Sequence, residues 1–130
     1  MIVLDASALV DWLLQTSSGQ RIERRIYAYS ETLHSPHLLD LEITQVLRRL
    51  TQQGVVSGTR ADQAVRDLVD LRLTRYPHIV LLPRIWQLRR NFSACDAAYI
   101  ALAEKLGAPV ITRDRRLASA SGHRATIELF

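Results

Sequence analysis

The sequence predicts an α/β domain in three layers, with a mainly parallel sheet of four to five short strands and helices on both faces. Three observations carry that expectation. Short apolar runs without polar alternation, such as Ile2 to Leu4 and Val110 to Ile111, read as strands buried on both faces. Between them lie segments with apolar residues at helical spacing. Strands separated by helix-sized connections of a dozen or more residues call for crossovers, and crossovers build parallel sheets.

The elements follow in order. Residues 2–4 form the first strand, and residues 7–15, apolar at positions 9, 10, 13 and 14, the first helix. Residues 19–29 carry Ile22 and Ile26 among arginines, the pattern of a more exposed helix. A brief strand is expected at 32–34, after which Ser35 and Pro36 read as the cap and first turn of a helix running to Gly54. Ala61, Ala64, Val65, Leu68 and Leu71 extend a helix over 57–73, and the apolar run 78–82, ending at Pro83, reads as a further buried strand. A short helix is expected at 84–90. Ser93 opens a long one that Gly107 closes in a left-handed cap, and a strand at 109–112, a helix at 113–121 and a strand at 126–130 complete the chain.

Composition bounds the function. The chain has 130 residues, 48% of them hydrophobic and 23% charged, the profile of one ordinary soluble domain spanning 1–130. Its longest apolar run is far too short to span a bilayer, and Asp5 and Asp11 interrupt the opening stretch where a signal peptide would need continuity. A lone cysteine, Cys95, allows no internal disulfide and fits a cytoplasmic protein. The formal charge of +4 comes almost wholly from arginine, whose planar fork suits phosphate, although on charge alone a preference for arginine on solvated helix faces is the better account.

The acids hold the chemistry. Asp5 follows the first strand and Asp114 the fourth apolar run, so both stand at the carboxyl edge of the sheet, where ligands of open α/β folds gather. Asp96 lies three residues after Ser93. Each has a structural use as a helix cap or capping-box partner. Together with Glu42, at the margin of an apolar helical stripe, they would converge on one end of the sheet. Asp40, about 200° around the helix from Glu42, should point elsewhere as a solvated acid. Carboxylates converging at ~4 Å repel by about 4 kcal/mol per pair at an effective dielectric near 20. Protons or hard divalent cations must relieve that repulsion, and a few carboxylates with retained waters suit Mg²⁺ or Mn²⁺. His34, His37, His78 and His123 form no zinc-like cluster. Rival chemistries lack their parts: Ser7 stands where a phosphotransfer enzyme needs a second Asp, no glycine-rich phosphate loop follows the first strand, and Ser7 has no activating His. Metal-assisted hydrolysis remains.

The segments "VLDASALVDWLL", "PHLLDLEITQVLRRL" and "FSACDAAYIALAEKLGAPVITRDRRLA" resemble, in order and over essentially the whole chain, the PIN-domain ribonucleases, specifically the VapC toxins of toxin–antitoxin pairs. The resemblance implies a PIN-like fold and a Mg²⁺ or Mn²⁺ site of Asp5, Glu42, Asp96 and Asp114 that cleaves RNA to leave a 5′-phosphate and a 3′-hydroxyl. Ser7 and Thr112 are then polar neighbours of the acids. Arg113, Arg115 and Arg116 flank the site and would guide the RNA backbone, with a solvated helical turn as the alternative for the last two. Cys95 departs from the tyrosine often found before the helix-start Asp. The same resemblance implies a homodimer and a VapB-like antitoxin that inhibits by placing a basic side chain among the acids. Trp12, Trp86 and Tyr99 are candidate groove or interface aromatics, with core packing the stronger reading for Tyr99. Two alternatives stay open: a PIN nuclease of RNA or DNA processing outside a toxin–antitoxin pair, and a catalytically silent binding domain.

Overall fold

A computed structural model describes residues 1–130. In chain order the elements are β1 (Ile2–Leu4), α1 (Ala6–Leu13), α2 (Ser17–Ala28), β2 (Leu33–Pro36), α3 (Leu38–Gln52), α4 (Gly58–Asp70), β3 (Leu73–Tyr76), a 3₁₀ turn (Ile79–Leu81), α5 (Leu82–Gln87), α6 (Ala94–Leu106), β4 (Val110–Thr112), α7 (Arg115–Ser119) and β5 (Ile127–Leu129). The five strands make one sheet in the order β3-β2-β1-β4-β5, and every neighbouring pair is parallel. The expected α/β class is therefore the observed one. Strand order reverses between β1 and β4: the chain leaves β1 toward β2 on one side and leaves β4 toward β5 on the other. The crevice above such a reversal is the usual ligand site of an open α/β sheet.

Burial explains the strands. Ile2, Val3, Leu4, Val110 and Ile111 are fully buried because helices cover both faces of the central pair. Helices α1 to α4 pack together, whereas α6 lies across β1, β2 and β4 with α5 against it. Residues Ala97 to Ala103 of α6 are all buried, so this helix is apolar around its whole circumference. Its alanines let it sit close to the sheet, and Gly107 closes it at φ 63°, the left-handed cap expected from the sequence. Helices α1 and α2 approach just as closely at Gly19, where an added Cβ would lie inside the Asp11 backbone. No helix is long and apolar enough to cross a membrane.

Two expected elements are corrected. Residues 78–82 are not a strand: Ile79 and Val80 are 70% and 54% exposed, only Leu81 turns inward, and Pro83 sits in the first turn of α5. A short apolar run fits a buried strand and a single inward-facing helical turn equally well. The strand is instead "LTRY", Leu73–Tyr76, which ends the helix before it sooner than expected. As an edge strand it tolerates polar residues. Its Arg75 forks onto Asp40 at 2.7 and 3.0 Å, so Asp40 points away from the site as expected but is paired rather than simply solvated.

Ser35 and Pro36 do not open a helix either; they end β2, and the Ser35 hydroxyl donates to the Leu4 carbonyl. Helix α3 starts at Leu38 without a cap from its own N-cap residue. His78 supplies one from forty residues away, its Nε2 accepting the Leu38 N–H at 3.0 Å.

Candidate active site

Asp5 leaves β1 and caps α1. Its Oδ1 accepts from the Ala8 N–H at 2.9 Å and from the Ser7 hydroxyl at 2.7 Å, while Oδ2 accepts from the Thr112 hydroxyl at 2.5 Å. The same two hydroxyls accept in turn from the next corner of the sheet: Ser7 Oγ from the Arg113 N–H and Thr112 Oγ1 from the Asp114 N–H, both at 2.9 Å. One hydrogen-bonded unit thus ties the β1–α1 corner to the β4–α7 corner and fixes Asp5 relative to Asp114. Asp114 itself caps α7, its Oδ1 accepting from the Arg116 N–H at 2.8 Å.

Glu42 reaches the site from the first turns of α3. The Tyr99 hydroxyl donates to its Oε1 at 2.6 Å. Asp96 comes from the first turn of α6, where Ser93 Oγ accepts its backbone N–H at 3.2 Å. Half of the expected capping box is therefore formed. The Asp96 carboxylate makes no return bond to Ser93 and lines a groove instead. Asp5, Glu42, Asp96 and Asp114 all line that groove, a cavity of about 580 Å³, so folding brings together four acids separated by as many as 109 positions. No three of them stand close enough to share one ion.

The groove is short of positive charge. Among the four acids only Asp114 has a cationic side chain within salt-bridge distance, Arg116 at 3.6 Å. Burial raises the Asp5 carboxyl above its ordinary value against the pull of its three hydrogen bonds, and the negative charge of Asp114 adds to the rise. Glu42 is raised by burial in the same way, opposed by the Tyr99 hydrogen bond and reinforced by Asp96 and Asp5. Burial, with the charges of Glu42 and Asp96, also keeps the Cys95 thiol protonated to higher pH than usual.

The other residues singled out in the sequence divide. Ser7 and Thr112 stand in contact with Asp5. Arg116 lines the groove and Arg115 is exposed on α7. Arg113 is occupied: it pairs with Asp11 at 2.6 Å and donates to the Phe130 carbonyl, outside the groove lining. Trp12 lies away from the groove with its indole N–H on Glu23, and Trp86 is 68% exposed beneath the Arg89 guanidinium. The Tyr99 ring is core, as expected, but its hydroxyl contact with Glu42 was not anticipated. The signal was the i,i+3 spacing of Asp96 and Tyr99, which puts both on one side of α6. Gln45 and Arg49, three and seven residues after Glu42, also line the groove by the same helical arithmetic.

Comparison with known proteins agrees with this architecture. The chain matches the PIN domain family over residues 2–122. It is 40% identical over 129 residues to Ribonuclease VapC12 of Mycobacterium tuberculosis, covering 99% of this chain and 98% of that protein. It is 48% identical over 120 residues to VapC ribonuclease Mb0985 of Mycobacterium bovis, covering 90% and 88%. In fold it is similar to the crystal structure of PAE2754 from Pyrobaculum aerophilum, with a TM-score of 0.73 at 20% identity over 97% of this chain and 81% of that one. Its strand order, its groove above the reversal between β1 and β4, and its full-length similarity to these ribonucleases make this chain a member of the PIN-domain family, within the VapC group.

Proposed function

We propose that this protein is a metal-dependent endoribonuclease, the toxin of a toxin–antitoxin pair, and that its active site is the four-acid groove. The observation that carries the reading is one cavity lined by four carboxylates, three of them with no cationic side chain in salt-bridge distance. Family membership supplies the substrate class: the relatives are named ribonucleases.

The residues fit a hard divalent cation. The donors are all carboxylate oxygens, no histidine or thiolate competes, and Asp5 and Glu42 sit in surroundings that penalise their own charge. Mg²⁺ is commonly held by one or two carboxylates with retained waters and substrate phosphate, so a site in which no three acids converge suits it. Among Asp5, Glu42, Asp96 and Asp114, one or two carboxylates would hold Mg²⁺ or Mn²⁺ directly and the others through its retained waters. When bound, such a cation activates water and stabilises the charge that builds on a phosphodiester during its hydrolysis.

The chain's own groups do the positioning. Ser7 and the Ala8 N–H hold Asp5 Oδ1 and Thr112 holds Oδ2, so Oδ2 keeps acceptor capacity that no protein donor uses. Tyr99 keeps Glu42 turned into the groove, and burial together with that neighbouring carboxylate holds its phenol far above the usual value, so it remains a proton donor. Arg116, at the groove edge beside Asp114, is placed to meet an RNA phosphate.

Inhibition by a VapB-like antitoxin, assembly as a homodimer and a cytoplasmic location belong to the same proposal, on the strength of the VapC relatives. The deciding experiment incubates purified protein with total RNA in Mg²⁺, in Mn²⁺ and in EDTA, beside the Asp96→Asn variant. Cleavage with either ion that disappears in EDTA and in the variant supports the assignment. Undiminished cleavage by Asp96→Asn would contradict it.

A further inference from the structure

A negatively charged substrate entering a groove floored by four carboxylates needs positive charge on the walls. Only two cationic side chains line this groove, Arg116 from α7 and Arg49 from α3. Their circumstances differ. Arg116 stands 3.6 Å from Asp114, which already draws on its charge. Arg49 is exposed, has no carboxylate within salt-bridge distance, and makes no side-chain hydrogen bond. It lies seven residues beyond Glu42, two turns along the same face of α3, with the amide of Gln45 between them. That stripe runs from the acids along the groove wall, from acidic through neutral to basic.

We propose that Arg49 is the phosphate contact on the α3 wall, binding the RNA backbone at a nucleotide displaced from the one that is cut and so setting the path of the strand along α3. This rests on the ribonuclease reading of the groove. A guanidinium with no internal partner is desolvated at no cost to an existing ion pair, and its fork matches two oxygens of one phosphate. Because the contact is to backbone, Arg49 contributes affinity without reading sequence.

The test measures binding of a fluorescein-labelled single-stranded oligoribonucleotide of mixed sequence by anisotropy, over a series of salt concentrations. It uses the full chain in a Glu42→Gln background that leaves the probe intact. Removing one phosphate contact from a single strand makes the slope of log affinity against log salt shallower by about 0.7, equivalent to roughly fourfold weaker binding at 0.15 M salt. Arg49→Ala should show that change, and Arg49→Lys should restore most of it. Arg48→Ala, one residue along and outside the groove lining, should leave the slope as it was. In the otherwise unaltered enzyme, Arg49→Ala should raise KM and spare kcat.

An Arg49→Ala slope equal to that of its parent would overturn the proposal. So would a variant that binds RNA normally yet loses displacement by polyglutamate, because the wall would then serve an acidic polypeptide. If the unaltered protein neither binds nor cuts RNA, the ribonuclease reading itself fails and this contact falls with it. Normal cutting by the unaltered protein together with an unchanged Arg49→Ala slope removes the contact alone.

Discussion

The two ends of helix α6 hold acids in opposite circumstances. Asp96, in its first turn, faces the groove with no cation in salt-bridge distance, whereas Glu104, near its last turn, is gripped by Arg84 through two hydrogen bonds of 2.7 and 3.0 Å and by the Arg124 N–H at 2.8 Å. The pattern extends to the whole sheet. At the carboxyl edge Asp5 and Glu42 are raised by burial and mutual repulsion. At the amino edge Arg84 holds Glu104 low, and Glu31, which burial alone would raise, is held low by the amino terminus and Arg25. Acids matched by arginines brace the fold; acids left unmatched are what a protein retains for a ligand of opposite charge.

Exchanging the damage between the ends of α6 is the sharpest way to break this contrast. Asp96→Asn should lower RNA cleavage at least about a hundredfold while leaving the thermal midpoint unchanged or higher. Glu104→Gln should do the reverse, costing about 2 kcal/mol of stability because Arg84 is left half-buried without its carboxylate, with kcat unchanged. Equal losses of activity in the two variants would dissolve the distinction between the edges.

Tyr99→Phe comes next. It removes the donor to Glu42 without changing the packed ring, and should weaken Mn²⁺ binding about tenfold by calorimetric titration. Tighter binding would show that the hydroxyl restrains Glu42 rather than positioning it.

Mg²⁺ itself should stabilise the unaltered protein by about 1.4 kcal/mol at ten times its Kd, seen as a rise in midpoint that Asp96→Asn loses. An equal rise in the variant would place the ion elsewhere.

The smallest effect is in pH. A carboxyl raised on folding destabilises while ionised, so without metal the contribution of Asp5 and Glu42 should improve as pH falls through their raised values toward about 4, and change no further below that. Glu104 and Glu31, lowered on folding, contribute fully above about 4.3, and their contribution is lost as pH falls through their depressed values. Urea midpoints in EDTA should therefore peak on the acidic side of neutrality, and Glu42→Gln should flatten the alkaline limb. A limb left unchanged in that variant would mean that Glu42 carries no strain.

Much of this was legible beforehand. The strands at Ile2–Leu4 and Val110–Thr112, the Ser93 and Gly107 caps and the position of Asp5 and Asp114 at one sheet edge follow from apolar runs and local capping chemistry. What misled was also local. Ser35 and Pro36 look like a helix start, but pairing with Arg75 and Tyr76 of β3 and the Leu4 carbonyl take them into β2.

The sequence by itself determined most of the strands and helices and that several acids end buried runs, because these depend on side-chain periodicity over a few neighbours; it misplaced a strand at 78–82, where the fold uses Leu73–Tyr76. Only the tertiary structure decided which acids are left without a cation. Pairing Glu104 with Arg84, or leaving Asp96 and Glu42 to face each other across a groove, depends on contacts between elements distant in the chain, and no local pattern encodes the partner. The same holds for Arg113 and Arg49: Arg113, expected from the resemblance to guide RNA, is held by Asp11, whereas Arg49, in sequence one more arginine on a basic chain, stands open on the groove wall.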